Sequence, residues 1–353
     1  MALSGTIRKS AVLLCLALLS ACAPYLYPQG PAVREPVLEQ DAFVMADGAR
    51  LPLRRWDPTV MLAGGTIAPK AVILALHGFN DYSNAFDTPA RAWAKDGILT
   101  IAYDQRGFGA APHRGRWPGV ETMTDDLATA ARLLRNRYPE TPLVILGESM
   151  GGAVIMAAAA RHPDLPADRL VLSAPAVWGR ETMPGWQSAG LDILANVLPW
   201  LEVSPRHIRR IPSDNIEMLR ALGRDPLIIK RTRIDALWGL VNLMDAARAA
   251  APSLNRDSLI LYGAKEDILP PEAWRTMIDT LPRNGHWKLR LYSSGFHMLL
   301  RDLNAAEVIA DISRYARDPD ALNPAEQEAA VTPVWIAAKG SKTMKMRVQR
   351  ALN

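Results

Sequence analysis

The stretch LGESMGGAV, Leu146–Val154, places a serine between glycines where an apolar run gives way to an alanine-rich one. Residues 147–151 have the form G-x-S-x-G, which holds a serine hydroxyl out from a sharp strand-to-helix turn. Apolar residues 143–146 predict the strand, and alanine-rich residues 157–160 predict the helix. Glycines are needed there because a side chain would collide with neighbouring backbone. The stretch therefore predicts Ser149 as a nucleophile; the alternative is a serine that only begins a helix.

Strand and helix patterns alternate on both sides of this stretch. The predicted strands, read from short apolar runs, are 71–76, 98–103, 142–146, 169–173, 258–262 and 287–292. The predicted helices are 85–95, 125–138, 151–162, 271–281 and 305–315. Such alternation predicts an α/β fold with a mostly parallel central sheet and helices on both faces.

The chain divides at the points where this alternation begins and stops. An Asp47-Gly48 pair between apolar arms predicts a hairpin near the start of the core. The first part of the core is residues 42–175 and the second part is 251–318. Residues 176–250 break the alternation with tryptophans, prolines and helical stretches, so they predict an inserted helical lid.

The N-terminal segment reads as a targeting signal. Basic residues followed by an apolar run too short to span a bilayer predict a signal peptide at residues 1–21. The junction Leu19–Cys22 resembles the lipobox of bacterial lipoproteins, which implies a lipidated Cys22 and an anchor in the cell envelope, facing the periplasm. The alternative is an ordinary signal peptide cut near Ala21 or Ala23. Proline-containing residues 22–41 then predict an extended tether.

Composition narrows the class of protein. The chain has 353 residues and 49% hydrophobic content, enough for a sizeable core. The net charge is +5. Residues 333–353, within the predicted C-terminal tail 319–353, contain five basic and no acidic residues, which accounts for the whole excess and leaves the folded body close to neutral. Nothing in this charge pattern suggests nucleic acid as a partner. Both cysteines, Cys15 and Cys22, lie in the N-terminal segment, so the mature chain has no disulfide.

A nucleophilic serine needs a histidine to take its proton and an acid to orient that histidine. His297 lies after the last predicted strand, where such a histidine belongs in the order serine, acid, histidine. The other histidines are His77, His113, His162, His207 and His286, which fit loop or capping roles, and no pair has metal-ligand spacing, so we expect no metal and no other cofactor. For the acid, Glu266 and Asp267 both follow the penultimate strand; we favour Glu266 and leave Asp267 open.

Negative charge on an ester oxygen during attack requires backbone donors that are already in place. The Met150 amide, at the start of the helix after the serine, is one candidate. The second candidate is the Phe79 amide in His77-Gly78-Phe79, which follows the first parallel strand. The alternative for that tripeptide is a turn that only ends the strand.

Taken in order, these segments resemble the α/β-hydrolases, and within them the monoacylglycerol lipase and lysophospholipase group, also labelled serine aminopeptidase-like. The resemblance covers about residues 43–315 and is carried by the segments 77–79, 104–109, 147–152, 263–271 and 295–297. It departs from the group at Glu148, where relatives often have histidine, and at Glu266, where they often have aspartate.

The resemblance implies a serine hydrolase that cleaves carboxylic esters of lipids through an acyl-enzyme on Ser149, with residues 176–250 as a lid over the site. The substrate would be a monoacylglycerol or a lysophospholipid, and the membrane would be reached through lipidated Cys22. A short-chain esterase or a peptidase of the same fold is the alternative among enzymes. A non-catalytic envelope lipoprotein is the alternative from another class, and a broken triad would be its sign.

Overall fold

A nine-stranded sheet runs through the part of the chain that the structure, a computed structural model, describes: residues 24–59, 68–204, 210–283 and 286–322. The strands of this sheet are β1 (Val37–Leu38), β2 (Ala42–Val44), β3 (Arg50–Trp56), β4 (Ala71–Leu76), β5 (Ile98–Tyr103), β6 (Leu143–Glu148), β7 (Arg169–Ser173), β10 (Ser258–Gly263) and β11 (Trp287–Tyr292). Two short strands, β8 (Glu202–Val203) and β9 (Thr232–Arg233), pair separately.

The α-helices within the described ranges are α1 (Asp87–Lys95), α2 (Val120–Arg137), α3 (Met150–Arg161), α4 (Gly185–Val197), α5 (Ile216–Arg224), α6 (Ile234–Ala250), α7 (Pro271–Thr280) and α8 (Ala305–Arg317). None of these helices is long and apolar enough to cross a bilayer.

The order of the strands is β1-β2-β3-β5-β4-β6-β7-β10-β11. The first three join by antiparallel pairing and β3 pairs antiparallel with β5, whereas β5 through β11 pair in parallel. The predicted hairpin, strands and mostly parallel sheet are therefore confirmed, with bounds shifted by a few residues. Because the parallel strands run in the same direction, their carboxyl ends and the loops that follow them lie at one edge of the sheet.

Both faces of the sheet are covered, as the apolar runs predicted. Along β4, Val72, Leu74 and Leu76 belong to one buried cluster and the alternate residues Ala71, Ile73 and Ala75 to the other. This is the two-residue period of a strand buried on both sides. Side chains from α2, α3, α6 and α7 fill the first cluster, and side chains from α1 and α8 fill the second.

The insertion contains α4, β8, α5, β9 and α6. Its last helix, α6, packs along α3 and buries Leu243, Met244 and Ala247 in the main core. The range predicted as a lid thus includes a core helix, while α4 and α5 make up its outer part. Helix α5 was not predicted from the sequence.

The described part of the predicted tether lies against the folded body. Tyr27 N donates to Trp117 O at 2.8 Å, Gln29 N donates to Thr122 Oγ1 at 3.1 Å, and Val33 N donates to Ala46 O at 2.8 Å. An extended segment that docks through its backbone has no hydrophobic periodicity, so the sequence predicted an extended tether and not its contacts with the folded body. The predicted signal peptide, Cys22 and the tail beyond residue 322 lie outside the described residues.

Candidate active site

Ser149 occupies the turn between β6 and α3 and has a positive φ of 54°. Such a conformation is strained for a residue with a side chain, and strain of this kind clusters at functional sites. A Cβ on Gly147 would lie 2.3 Å from the Gly151 carbonyl carbon, and a Cβ on Gly151 would lie 2.2 Å from Leu76 O. The two glycines therefore let the turn close against β4 and leave the serine side chain at its apex.

The structure brings Ser149, His297 and Glu266 together. His297 Nε2 lies 2.9 Å from Ser149 Oγ, and His297 Nδ1 lies 2.6 Å from Glu266 Oε2. Since an ionised carboxylate only accepts, Nδ1 carries the proton and Nε2 is free to accept from the serine. These three side chains come from the loops after β11, β10 and β6, at the same edge of the sheet.

Burial and charge act in opposite directions on His297. Burial of the imidazole disfavours its charged form, but the charge of Glu266 and the hydrogen bond to it outweigh this, so the pKa of His297 is raised above its usual 6.5. A raised pKa makes this histidine a better proton acceptor.

The two candidate acids point to different partners. Glu266 is 9% exposed, and its second oxygen, Oε1, accepts from the backbone N–H groups of Ile268 and Leu269 at 2.7 and 3.0 Å. Asp267 instead accepts from Ile211 N at 3.0 Å and from Arg210 Nη1 at 3.2 Å, both in the insertion. The structure thus brings Glu266 to the histidine and uses Asp267 to hold the insertion.

The two candidate backbone donors, the Phe79 and Met150 amides, lie in segments that meet at the serine. The Cβ position of Gly78 is 3.5 Å from Ser149 Cβ, so the loop after β4 touches the turn of the nucleophile. Among the hydrogen bonds between described residues, neither N–H group has an acceptor. Two N–H groups without a protein acceptor, in the two segments that meet at the serine, fit the backbone donors that a developing oxyanion requires.

His77 shapes the loop that carries the Phe79 amide. Its Nδ1 donates to Gly78 O at 2.8 Å and its Nε2 accepts from Gln105 N at 3.1 Å, so the ring is in one neutral tautomer. Complete burial lowers its pKa, which agrees with that state.

The remaining histidines lie away from the serine. His162 pairs with Asp125, His286 pairs with Asp257, and His113 contacts the Tyr27 ring, whereas His207 falls outside the described residues. No group of three or more His, Cys, Asp or Glu side chains in the described ranges is arranged to hold a metal ion.

Sequence reasoning missed Asp302, which supports the histidine loop. Its carboxyl accepts from Phe296 N at 2.7 Å and from Ser213 Oγ at 2.6 Å. Burial raises the pKa of Asp302 to about 7, against the opposing effect of those two hydrogen bonds. Its place five residues after His297 gave no signal, because its partner Ser213 is distant in the sequence.

Sequence reasoning also missed a buried arginine. Arg301 forms ion pairs with Asp81 and with Glu148, the residue before the serine. The signal was available in part, since an acid at the second position of G-x-S-x-G at a buried strand end requires a cation nearby.

Comparison with known proteins places this geometry in a family. Residues 67–304 match the family model described as serine aminopeptidase, S33. The chain is 23% identical over 288 residues to a monoacylglycerol lipase of Mycolicibacterium smegmatis, which covers 78% of this chain and 96% of that protein. It is 27% identical over 263 residues to the human monoglyceride lipase, which covers 74% of this chain and 84% of that protein.

Solved structures show the same fold. The monoacylglycerol lipase of Paleococcus ferrophilus aligns with a TM-score of 0.63 at 20% identity, over 76% of this chain and 98% of that one. A soluble variant of the monoglyceride lipase from Saccharomyces cerevisiae aligns with a TM-score of 0.64 at 18% identity, over 83% of this chain and 97% of that one. The sheet and helices described above are thus those of the α/β-hydrolase fold.

Proposed function

Since the chain belongs to the serine aminopeptidase S33 family of α/β-hydrolases, we propose that it is a serine hydrolase that cleaves carboxylic esters of lipids, of the monoacylglycerol or lysophospholipid type. The observation that carries the proposal is the hydrogen-bond chain from Ser149 Oγ through His297 to Glu266. Relatives named as monoacylglycerol lipases over most of the chain support an ester of glycerol as substrate.

In the first half of the proposed reaction, Ser149 Oγ attacks the ester carbonyl carbon while His297 Nε2 takes the hydroxyl proton. Glu266 stabilises the imidazolium that forms and holds its orientation. The carbonyl electron pair moves onto oxygen, where the Phe79 and Met150 amides stabilise the charge. The tetrahedral intermediate then collapses: the ester C–O bond breaks, and the alcohol leaves with the proton from His297.

In the second half, water attacks the acyl carbon of the ester on Ser149. His297 takes one proton from that water and passes it to Ser149 Oγ as the acyl–oxygen bond breaks. The products are a fatty acid and the free enzyme. Besides the substrate and one water, these steps use side chains and backbone amides of the chain.

The outer part of the insertion suits an apolar substrate. Leu219 of α5 is buried in a small cluster with Ile211 and Phe296. Other large apolar side chains of this part are more than one third exposed, namely Trp186, Ile193, Leu194, Trp200, Leu201 and Val203. Exposed apolar side chains grouped on one segment are typical of sites that meet lipid or other apolar ligands.

Labelling and turnover together test the proposal. A fluorophosphonate probe should label the wild type and should not label Ser149→Ala. The same substitution should lower kcat for ester hydrolysis by about 10⁴-fold or more. Long-chain monoacylglycerol and lysophospholipid should be turned over faster than short-chain esters or peptides. An unlabelled, inactive but folded wild type would favour the non-catalytic alternative, and preference for short esters or for amides would favour the other two.

We also propose that Cys22 anchors the protein in the bacterial cell envelope. The support is the lipobox-like junction after the apolar run of the signal peptide. Cells fed labelled palmitate should incorporate the label into the wild type and not into Cys22→Ala. Equal labelling of both forms, or release of the wild type as a soluble protein, would refute the anchor.

A further inference from the structure

A cluster of three charges is buried beside the nucleophile. The Arg301 guanidinium lies 2.7 Å from Asp81 Oδ2 and 2.6 Å from Glu148 Oε1, and all three residues are less than 10% exposed. We propose that Arg301 is a positioning residue that clamps the loop of the Phe79 amide against the turn of Ser149. This inference rests on the serine hydrolase function proposed above.

The cluster joins three loops at the edge of the sheet where the site lies. Glu148 ends β6 and directly precedes Ser149, Asp81 belongs to the loop after β4, and Arg301 follows His297 by four residues. The Cβ position of Gly78 is 4.0 Å from Glu148 Oε1, so the first two loops touch at this carboxylate. One guanidinium therefore fixes the relative position of the attacking oxygen and of a proposed oxyanion donor.

Asp81 transmits this restraint to its own loop. Its Oδ1 accepts from Tyr82 N at 2.8 Å, and its backbone N–H donates to Gly78 O at 3.3 Å, which closes the turn around Phe79. The Arg301 backbone is held as well, since its N–H donates to Met298 O at 2.8 Å and its carbonyl accepts from Asn215 Nδ2 at 2.9 Å. Arg301 thus pairs with Asp81 across two backbone segments that are each held by hydrogen bonds of their own.

An arginine is required for this geometry. Its planar fork offers separate N–H groups to two carboxylates, whereas a lysine ammonium is a single point of charge. Glu148 Oε2 is buried without a hydrogen-bond partner among the described residues, so Glu148 depends on Arg301 for charge compensation. Removing the cation would leave two buried carboxylates without compensation, next to the reacting groups.

The cluster also acts on His297. The charged groups that act on this imidazole are Glu266 from the loop after β10, Glu148 from β6 and Arg301 from the turn that follows. Three further charged groups contact their neighbours: Asp81 pairs with Arg301, Lys265 lies over the Phe296 ring, and Asp302 accepts from Phe296 N. Burial lowers the pKa of His297, Glu266 raises it most, Glu148 raises it further, and Arg301 lowers it. Arg301 therefore offsets the effect of Glu148 on the proton acceptor.

Opposite shifts of the pH profile test the inference. In Glu148→Gln the acidic limb of kcat/KM should move to lower pH, and in Arg301→Met it should move to higher pH, each by roughly half a pH unit or more. Arg301→Lys keeps the charge but not the fork, so its limb should stay in place. Its kcat should fall at least about tenfold with KM little changed, because the oxyanion donor is misplaced.

Arg106 supplies a matched control. It is buried between Asp47 and Asp126 with the same two-carboxylate arrangement, but those partners lie on the β2–β3 hairpin and on α2. Arg106→Met should therefore lower the melting temperature as Arg301→Met does and leave the acidic limb unmoved. Melting curves measured beside the kinetics separate loss of fold from loss of positioning; if Arg301→Met does not fold, Arg301→Lys and Glu148→Gln give the result.

The outcomes separate this inference from the function it rests on. A folded wild type that neither labels with fluorophosphonate nor hydrolyses esters overturns the proposed function. An active wild type whose acidic limb stays fixed in both Arg301→Met and Glu148→Gln, or moves equally in Arg106→Met, overturns the positioning role alone. An Arg301→Lys enzyme with wild-type kcat does the same.

Discussion

Replacing Glu266 by glutamine should invert the hydrogen bonding of the histidine. Glu266 Oε1 accepts from two backbone N–H groups, of Ile268 and Leu269, while Oε2 faces His297 Nδ1 at 2.6 Å. A glutamine oxygen would stay on those two donors, because an amide nitrogen there would meet them donor to donor. Its NH₂ group would then face Nδ1, and the imidazole would carry its proton on Nε2, toward Ser149, where it cannot accept another.

The size of the effect follows from the loss of the correct tautomer. An acid-to-amide change in a Ser-His-Asp triad lowers kcat by about 10⁴-fold, and we expect a loss of about 10³- to 10⁴-fold here, or about 4 to 5.5 kcal/mol of transition-state stabilisation. Asp267→Asn is the matched control, since it changes the neighbouring acid in the same way. Its Arg210 partner is half exposed, and an asparagine oxygen can still accept from Ile211 N, so that variant should lose less than about tenfold.

Steady-state hydrolysis of a monoacylglycerol and of a p-nitrophenyl ester measures both variants, with circular dichroism to show that they fold. If Glu266→Gln kept more than a tenth of the wild-type kcat, the tautomer argument would be wrong. If Asp267→Asn lost more activity than Glu266→Gln, the assignment of the orienting acid would be wrong as well.

Three further outcomes are expected. Because Glu266 outweighs burial and raises the pKa of His297, and the reaction needs the neutral imidazole, kcat/KM measured against pH should fall on acidification with a midpoint above 6.5. In thermal or urea melts, Gly239→Ala should lower the free energy of unfolding by about 1–3 kcal/mol, because its Cβ would lie 2.3 Å from Trp117 Cδ1. A Cβ at Gly185 meets open space, so the free energy of unfolding of Gly185→Ala should stay within about 0.5 kcal/mol of the wild-type value. The pKa of Asp302 is about 7 in the folded state and 3.8 for an ordinary aspartate, so between these values the folded state binds a proton that the unfolded state does not. The free energy of unfolding should therefore fall as pH rises from about 4 through 7. Asp302→Asn should flatten that fall in urea titrations at a series of pH values.

The fold was predictable because its signals are local. Each buried parallel strand is a short apolar run, and the turn around Ser149 is encoded by glycines within two residues of it. The order serine, acid, histidine then followed from the order of the loops. Sequence reasoning did not predict how residues 24–41 contact the folded body, because that segment docks through backbone hydrogen bonds and has no hydrophobic periodicity. It also missed α5, which buries Leu219 alone among its residues.

The supporting side chains were not predictable, because their partners are distant in the sequence. Arg301 meets Glu148 across 153 positions, and Asp302 meets Ser213 across 89. The sequence could not decide between Glu266 and Asp267 for the same reason. Neighbouring residues on one turn point in different directions, and the direction of each was fixed by groups that the local sequence does not contain.

These distant contacts join the insertion to the proposed catalytic site. Asp267 holds Ile211 and Arg210 from the acid loop, and Asp302 holds Ser213 from the histidine loop, so the segment 210–215 is joined to both. Since Asp302 also accepts from Phe296 N, displacing the segment would remove a partner from the carboxyl that holds the residue before the histidine. We therefore expect that displacing residues 210–215 would misalign His297 and lower kcat.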